Sequence, residues 1–203
     1  MEELTKEEEL ELKIEEAKSR IQGMLKWYAP HEVYCGHSGG KDSSTIMHLV
    51  HSVNENIPVI HNGKRTYVQK RDKVSGPTDV DIRTLEFLYQ YTLNQADYIT
   101  LVKTHKMKDY LKGPGKQFRV QVDGTRLDEF DRDAKSNTFE INGKQVSRAE
   151  VTHWVQNGLF GLNFLMPIFD WTSEDVFDYH KLNNIPLSEE YLDDKEYQEW
   201  NKQ

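Results

Sequence analysis

The run Gly36-His37-Ser38-Gly39-Gly40-Lys41-Asp42-Ser43-Ser44 gathers glycines, hydroxyls, an ammonium and a carboxylate directly after the apolar residues Val33-Tyr34-Cys35. These are the groups that hold an anion. Gly39 and Gly40 let backbone N–H groups come close, Ser38, Ser43 and Ser44 offer hydroxyl donors, Lys41 adds a point charge, and His37 adds a ring nitrogen at the entrance. A helix predicted from Asp42 to about Val53 aims its positive end at the same anion. Asp42 can hold Mg²⁺ or orient the loop. The commoner phosphate loop, G-x-x-x-x-G-K-[ST], needs a different glycine spacing and a hydroxyl after the lysine. Here Asp42 follows Lys41, so a kinase or motor of that type is disfavoured.

A second set of residues lies in Gly124-Thr125-Arg126-Leu127-Asp128-Glu129-Phe130-Asp131-Arg132. Arg126, Glu129 and Arg132 recur at three-residue steps, which turns two guanidiniums toward one region, with Glu129 between them to hold one fork. Guanidinium suits bidentate contacts to phosphate or sulfate. The competing reading is a surface helix laced by i,i+3 ion pairs. A third stretch, Pro167-Ile168-Phe169-Asp170-Trp171-Thr172-Ser173-Glu174-Asp175-Val176-Phe177-Asp178-Tyr179, reads as packing more than chemistry. Thr172 caps a helix whose third residue is Asp175, and Trp171, Val176 and Tyr179 face the interior.

The elements that position these groups alternate. Leu10, Ile14, Ala17, Ile21 and Leu25 predict an amphipathic helix over about Thr5 to Trp27, ended by Pro30. Strand Glu32–Cys35, the loop, helix Asp42–Val53 and strand Pro58–His61 form a β-α-β unit with the loop at the strand's C-terminal end, where ligands sit in open α/β sheets. Residues 62 to 79 read as a long loop. Asp81 to Asn94 reads as a second crossover helix, Tyr98 to Val102 as a third strand, Phe118 to Val122 as a fourth and Thr138 to Val146 as a hairpin. The fold expected is a doubly wound, mostly parallel α/β sheet with helices on both faces. One domain is expected over 1–203, with an acidic N-terminal helix (1–28), an α/β core (29–186) and a C-terminal tail (187–203).

The SGGKDSS string resembles the pyrophosphate-binding loop of the adenine-nucleotide α-hydrolase (PP-loop) superfamily. The G-x-R-x-x-E-x-x-R spacing and the segment from Pro167 resemble its PAPS reductase branch, part of which FAD synthetases share. Together the matches run from residue 33 to about 186. The resemblance implies an ATP α-phosphate reaction: an acceptor oxygen attacks the α-phosphorus, pyrophosphate leaves into the loop, and ATP with Mg²⁺ is the nucleotide. It implies that Lys41 and the N–H groups of Gly39 and Gly40 neutralise the leaving group, while Arg126 and Arg132 bind a second anionic group or the far phosphates. Gly124 and Glu129 belong to the arginine motif. The adenine is expected near His61, Asn62 and Gly63, where His-Asn-Gly replaces the Asp-Thr-Gly common in the family.

Reductases of this branch carry a nucleophilic cysteine in a C-terminal Glu-Cys-Gly segment. The present sequence has one cysteine, Cys35, in the strand before the loop. Adenylyl transfer of the FAD synthetase kind therefore fits better than sulfonucleotide reduction. The alternatives are a PAPS or APS reductase-like protein using an external thiol, and a non-catalytic nucleotide sensor or regulatory subunit.

Net charge is −8 over 203 residues, with hydrophobic residues at 36% and charged ones at 30%. This composition suits a soluble, cytoplasmic protein without a membrane partner, and it disfavours general nucleic-acid binding. Glutamates crowd the first sixteen residues, and basic residues cluster from Lys103 to Arg119. That basic stretch reads first as a solvated face and second as a surface for an RNA or protein acceptor. A homodimer is an arrangement the resemblance admits, with the N-terminal helix as its surface. The histidines form no set with metal-ligand spacing.

Overall fold

The computed structural model describes residues 4–38, 40–61, 116–129, 138–141, 144–147, 152–158, 161–187, 191 and 195–202. The loop, helix and strand expected between residues 62 and 102 lie outside the described residues, as do Gly39, Asn62, Gly63 and Arg132.

Helix α1 (Lys6–Leu25) begins at a capping box in which the Glu8 N–H donates to Thr5 Oγ1 and the Thr5 N–H donates to Glu8. Such a cap contributes on the order of 1 kcal/mol. Its expected stripe is real: Leu10, Ile14, Ala17, Ile21 and Met24 are buried in the main core, and Leu25 packs beside them. The acidic N-terminus is therefore the outer face of a core helix, with its carboxylates turned outward.

Strand β1 (Val33–His37) runs through the loop into α2 (Lys41–Val53), which returns to β2 (Val59–His61). Strand β3 (Val120–Val122) is shorter than the predicted strand. Strands β4 (Thr138–Ile141) and β5 (Lys144–Ser147) form the expected antiparallel hairpin, a two-stranded sheet of its own. Strands β6 (Trp154–Val155) and β7 (Asn163–Leu165), helix α3 (Ser173–Leu182) and a short helix α4 (Lys195–Trp200) complete the described chain. The sequence reading named neither β6, β7 nor α4, and the supposed tail carries the last of these.

The main sheet has the order β2-β1-β3-β7-β6, parallel except for the β6–β7 edge. Strand alternation divides its residues between two cores. Val59, Cys35, Val122 and Leu165 sit side by side across the register and join the cluster under α1, α2 and α3. Tyr34, Phe164 and Val155 belong to the cluster on the other face, with Ile60, Phe118 and Met166. The doubly wound expectation holds. Helix α3 opens as predicted: the Asp175 N–H donates to Thr172 Oγ1 and the Thr172 N–H to Asp175 Oδ2, while Trp171, Val176 and Tyr179 are buried.

Candidate functional site

Parallel strands β1 and β3 deliver their C-terminal ends side by side, so the loop after His37 and the turn after Val122 meet. Gly124 makes the meeting close. A Cβ there would stand 2.9 Å from the carbonyl carbon and oxygen of Asp42 and 3.1 Å from the Ser43 nitrogen, all backbone atoms that cannot swing away. Glycine at 124 thus lets the arginine-motif turn lie against the first turn of α2. Asp123 sets that turn by accepting the Thr125 N–H at 2.9 Å.

The loop is braced from within. Gly40 caps α2 in an extended conformation, and its carbonyl accepts from Ser43 Oγ at 2.9 Å and Ser44 Oγ at 3.0 Å. Ser43 Oγ also accepts the Ser38 N–H at 3.2 Å. With its one proton given to Gly40, Ser44 Oγ accepts from His37 Nε2 at 3.2 Å. Ser43, Ser44 and His37 are buried, whereas Ser38 is exposed. Read as ligand donors from sequence, Ser43 and Ser44 here fix the loop's shape, and His37 lies beneath it.

The charged groups form one chain. Lys41 Nζ lies 3.2 Å and 3.1 Å from the two carboxylate oxygens of Asp42. Asp42 Oδ1 in turn faces Arg126 Nε at 2.7 Å, an ion pair whose N–H is not aimed along the contact. Arg126 Nη1 donates to Asp128 Oδ2 at 2.6 Å and Nη2 to Ser173 Oγ at 3.1 Å. Arg126 is only 1% exposed. The guanidinium expected to reach for a ligand is therefore enclosed by Asp42, Asp128 and Ser173. The fork is held by Asp128; Glu129 instead accepts the Arg126 backbone N–H at 3.2 Å. Withdrawal of the Glu129 carboxyl from water and the nearby Asp42 charge raise its pKa.

Sequence reasoning missed several neighbours. His180, buried on α3, faces the Lys41 carbonyl with Nε2 at 2.9 Å and the Ile185 carbonyl with Nδ1 at 3.2 Å. Burial outweighs these two acceptors and lowers its pKa. Tyr191 takes the Lys41 N–H on its hydroxyl at 3.1 Å. Ser173 Oγ donates to Glu196 Oε2 at 2.7 Å, tying α4 to the Arg126 cluster. A polar residue one position past a helix cap was the signal available for Ser173; spacing carries none for His180 or Tyr191. Cys35 is buried in β1, and burial, with the Asp123 charge, pushes its thiol pKa up, which removes it as a nucleophile. Among the described residues no group of three acidic, histidine or cysteine side chains could hold a metal ion, and no helix is long and apolar enough to cross a membrane.

The phosphoadenosine phosphosulfate reductase domain matches residues 32–198, from the start of β1 into α4. The chain belongs to that family. Sulfate adenylyltransferase subunit 2 of a Bradyrhizobium species is 25% identical over 175 residues, which cover 74% of this chain and 53% of the relative. The chain thus spans about half the length of that curated relative. Among solved structures, FMN adenylyltransferase of Candida glabrata aligns with a TM-score of 0.57 at 14% identity, over 90% of this chain and 58% of the other. Yeast FAD synthetase aligns with a TM-score of 0.56 at 13% identity, over 94% and 65%. At these identities the likeness is one of fold, and it agrees with a PAPS reductase domain sheet whose loop side carries Ser38 to Ser44.

Proposed function

We propose that this PAPS reductase domain protein is an enzyme that binds ATP with its β- and γ-phosphates at Ser38 to Ser44 and transfers the adenylyl group to an acceptor. The acceptor oxygen forms a bond to the α-phosphorus, the α–β bridging bond breaks, and pyrophosphate departs with the electron pair. The observation that carries this reading is the junction of β1 and α2: a glycine loop at a parallel strand's C-terminal end, opening into a helix whose first residue is Lys41 and whose positive end faces the loop. The names of the relatives support it, since a sulfate adenylyltransferase subunit and an FMN adenylyltransferase both denote adenylyl transfer.

Lys41 and the N–H groups at the start of α2 neutralise charge on the leaving group. Arg126 enters as a positioning residue: it holds Asp42, and Asp42 holds Lys41. Arg132 is assigned the second anionic group on its motif, and Asn62 and Gly63 the adenine on the expected fold. Asp42 does not fit a Mg²⁺ site, because both its oxygens already face cations within 3.2 Å. Magnesium belongs to this reading as a companion of the nucleotide phosphates.

The test incubates the protein with ATP and Mg²⁺, and in parallel with PAPS and with APS, and measures pyrophosphate, AMP and sulfite. Pyrophosphate formed only from ATP supports the reading. Sulfite formed with an added thiol would replace it with external-thiol sulfonucleotide reduction, and tight binding without products would replace it with a sensor.

A further inference from the structure

The Lys41 N–H is the first donor of α2, and it is already spent on the Tyr191 hydroxyl. The same oxygen would stand 3.3 Å from a Cβ placed on Gly40, so Tyr191 lies directly against the mouth of the loop. Its ring also flanks the charge: Lys41 Nζ is 5.8 Å from the Tyr191 ring centre and 5.6 Å from that of Phe177. Tyr191 in turn packs edge-on against Phe177, as does Tyr197 of α4. One side chain thus engages both loop groups assigned above to the leaving pyrophosphate, the backbone donor and the ammonium.

An N–H has one proton to give. A phosphate oxygen that accepts it must occupy the place the Tyr191 oxygen fills, so the two acceptors exclude each other. The phosphate is the stronger competitor, because a charged acceptor makes roughly twice as strong a hydrogen bond as a neutral hydroxyl and also gains from the helix dipole. We infer that Tyr191 is a displaceable stopper of the phosphate site, which leaves the Lys41 N–H when a polyphosphate binds and thereby weakens the observed affinity for it. The inference rests on the assignment of Ser38 to Ser44 as a phosphate site.

Removing the hydroxyl while keeping the ring should tighten binding. The hydrogen bond that must break accounts for about a two- to tenfold gain in affinity for pyrophosphate in Tyr191→Phe. Tyr191→Leu, which also removes the aromatic contact to Phe177, should gain at least as much. Adenosine, which lacks phosphate, should bind all three proteins equally. Calorimetric titration of wild type and both variants with pyrophosphate and with adenosine, after circular dichroism has matched their folds, decides the matter. Unchanged or weaker pyrophosphate binding by both variants, with wild type binding measurably, would overturn the stopper alone. A wild type and variants that all fail to bind pyrophosphate at millimolar concentration would overturn the phosphate-site assignment and the stopper with it.

Discussion

Two clusters of charge tie distant segments together, and they do so in opposite settings. At the loop, Arg126 is 1%, Lys41 8% and Asp42 18% exposed, and each charge depends on the next. On the α1 side, Arg20 bridges Asp170 at 2.6 Å and Glu16 at 2.6 Å, but those partners are 46% and 58% exposed. Lys13 likewise joins Asp175 at 2.7 Å, and Lys6 joins Glu174. Ions half in water gain little by pairing, whereas ions taken out of water are costly unless every partner is present. The α1 cluster staples a helix whose apolar stripe already docks it. The loop cluster pins one lysine at the start of α2, where an apolar core would have been simpler to build.

The widest separation between the two clusters should come from deleting their arginines. Arg126→Ala removes a guanidinium that is 1% exposed, leaving Asp42 with the Lys41 ammonium and the part-exposed Asp128 without its partner, and should cost about 3 kcal/mol, whereas Arg20→Ala should cost about 1 kcal/mol or less. Urea unfolding of both variants tests this, and equal losses would erase the distinction. Next in size is Gly124→Ala. Its methyl group would press on the Asp42 backbone and force the turn from α2, at about 1–3 kcal/mol.

Acid should separate the regions further. Burial lowers the pKa of His180 beside the loop from an ordinary 6.5. The unfolded chain then binds a proton that the folded one refuses, so stability falls as pH drops through 6.5 toward the folded value, and is undisturbed above it. His180→Gln should make that part of the pH profile shallower, the rest of the slope coming from His48, His51 and His153, whose pKa values burial lowers as well. Asp170 behaves differently: burial works to raise its pKa, but the Arg20 hydrogen bond prevails and lowers it. Its contribution is present above the unfolded carboxylate value, is lost only at more acidic pH, and should vanish in Arg20→Ala. Unfolding midpoints from pH 2 to pH 8 in the three proteins would resolve the two windows.

The sequence announced these regions unequally. The place of the loop was legible because an apolar run passes directly into glycine and serine, and β1, α2 and β2 followed from the apolar runs around it. The stripe of α1 and the Thr172–Asp175 cap were legible because helical period and capping are local. Strands β6 and β7 are too short for alternation to register, and α4 lacks an apolar period of its own, since it leans on Phe177 through Tyr197 and Trp200. The roles inside the site were harder to read. Residue type marks Arg126 as an anion binder, but only the contacts show its Nη groups given to Asp128 and Ser173 and its Nε placed against Asp42. Nothing near Tyr191 in sequence points 150 positions back to Lys41.

A small stability effect should accompany loss of the residue assigned to the leaving group. Lys41→Ala leaves Asp42 paired with Arg126, so it should cost about 1 kcal/mol in folding. Its effect on phosphate binding is the most direct test of the loop assignment. Titration of ATP and pyrophosphate into wild type and Lys41→Ala, with unfolding midpoints recorded alongside, should show at least about a tenfold loss of affinity for both ligands in a folded variant. Equal affinity in the two proteins would contradict the placement of the pyrophosphate end at Ser38 to Ser44.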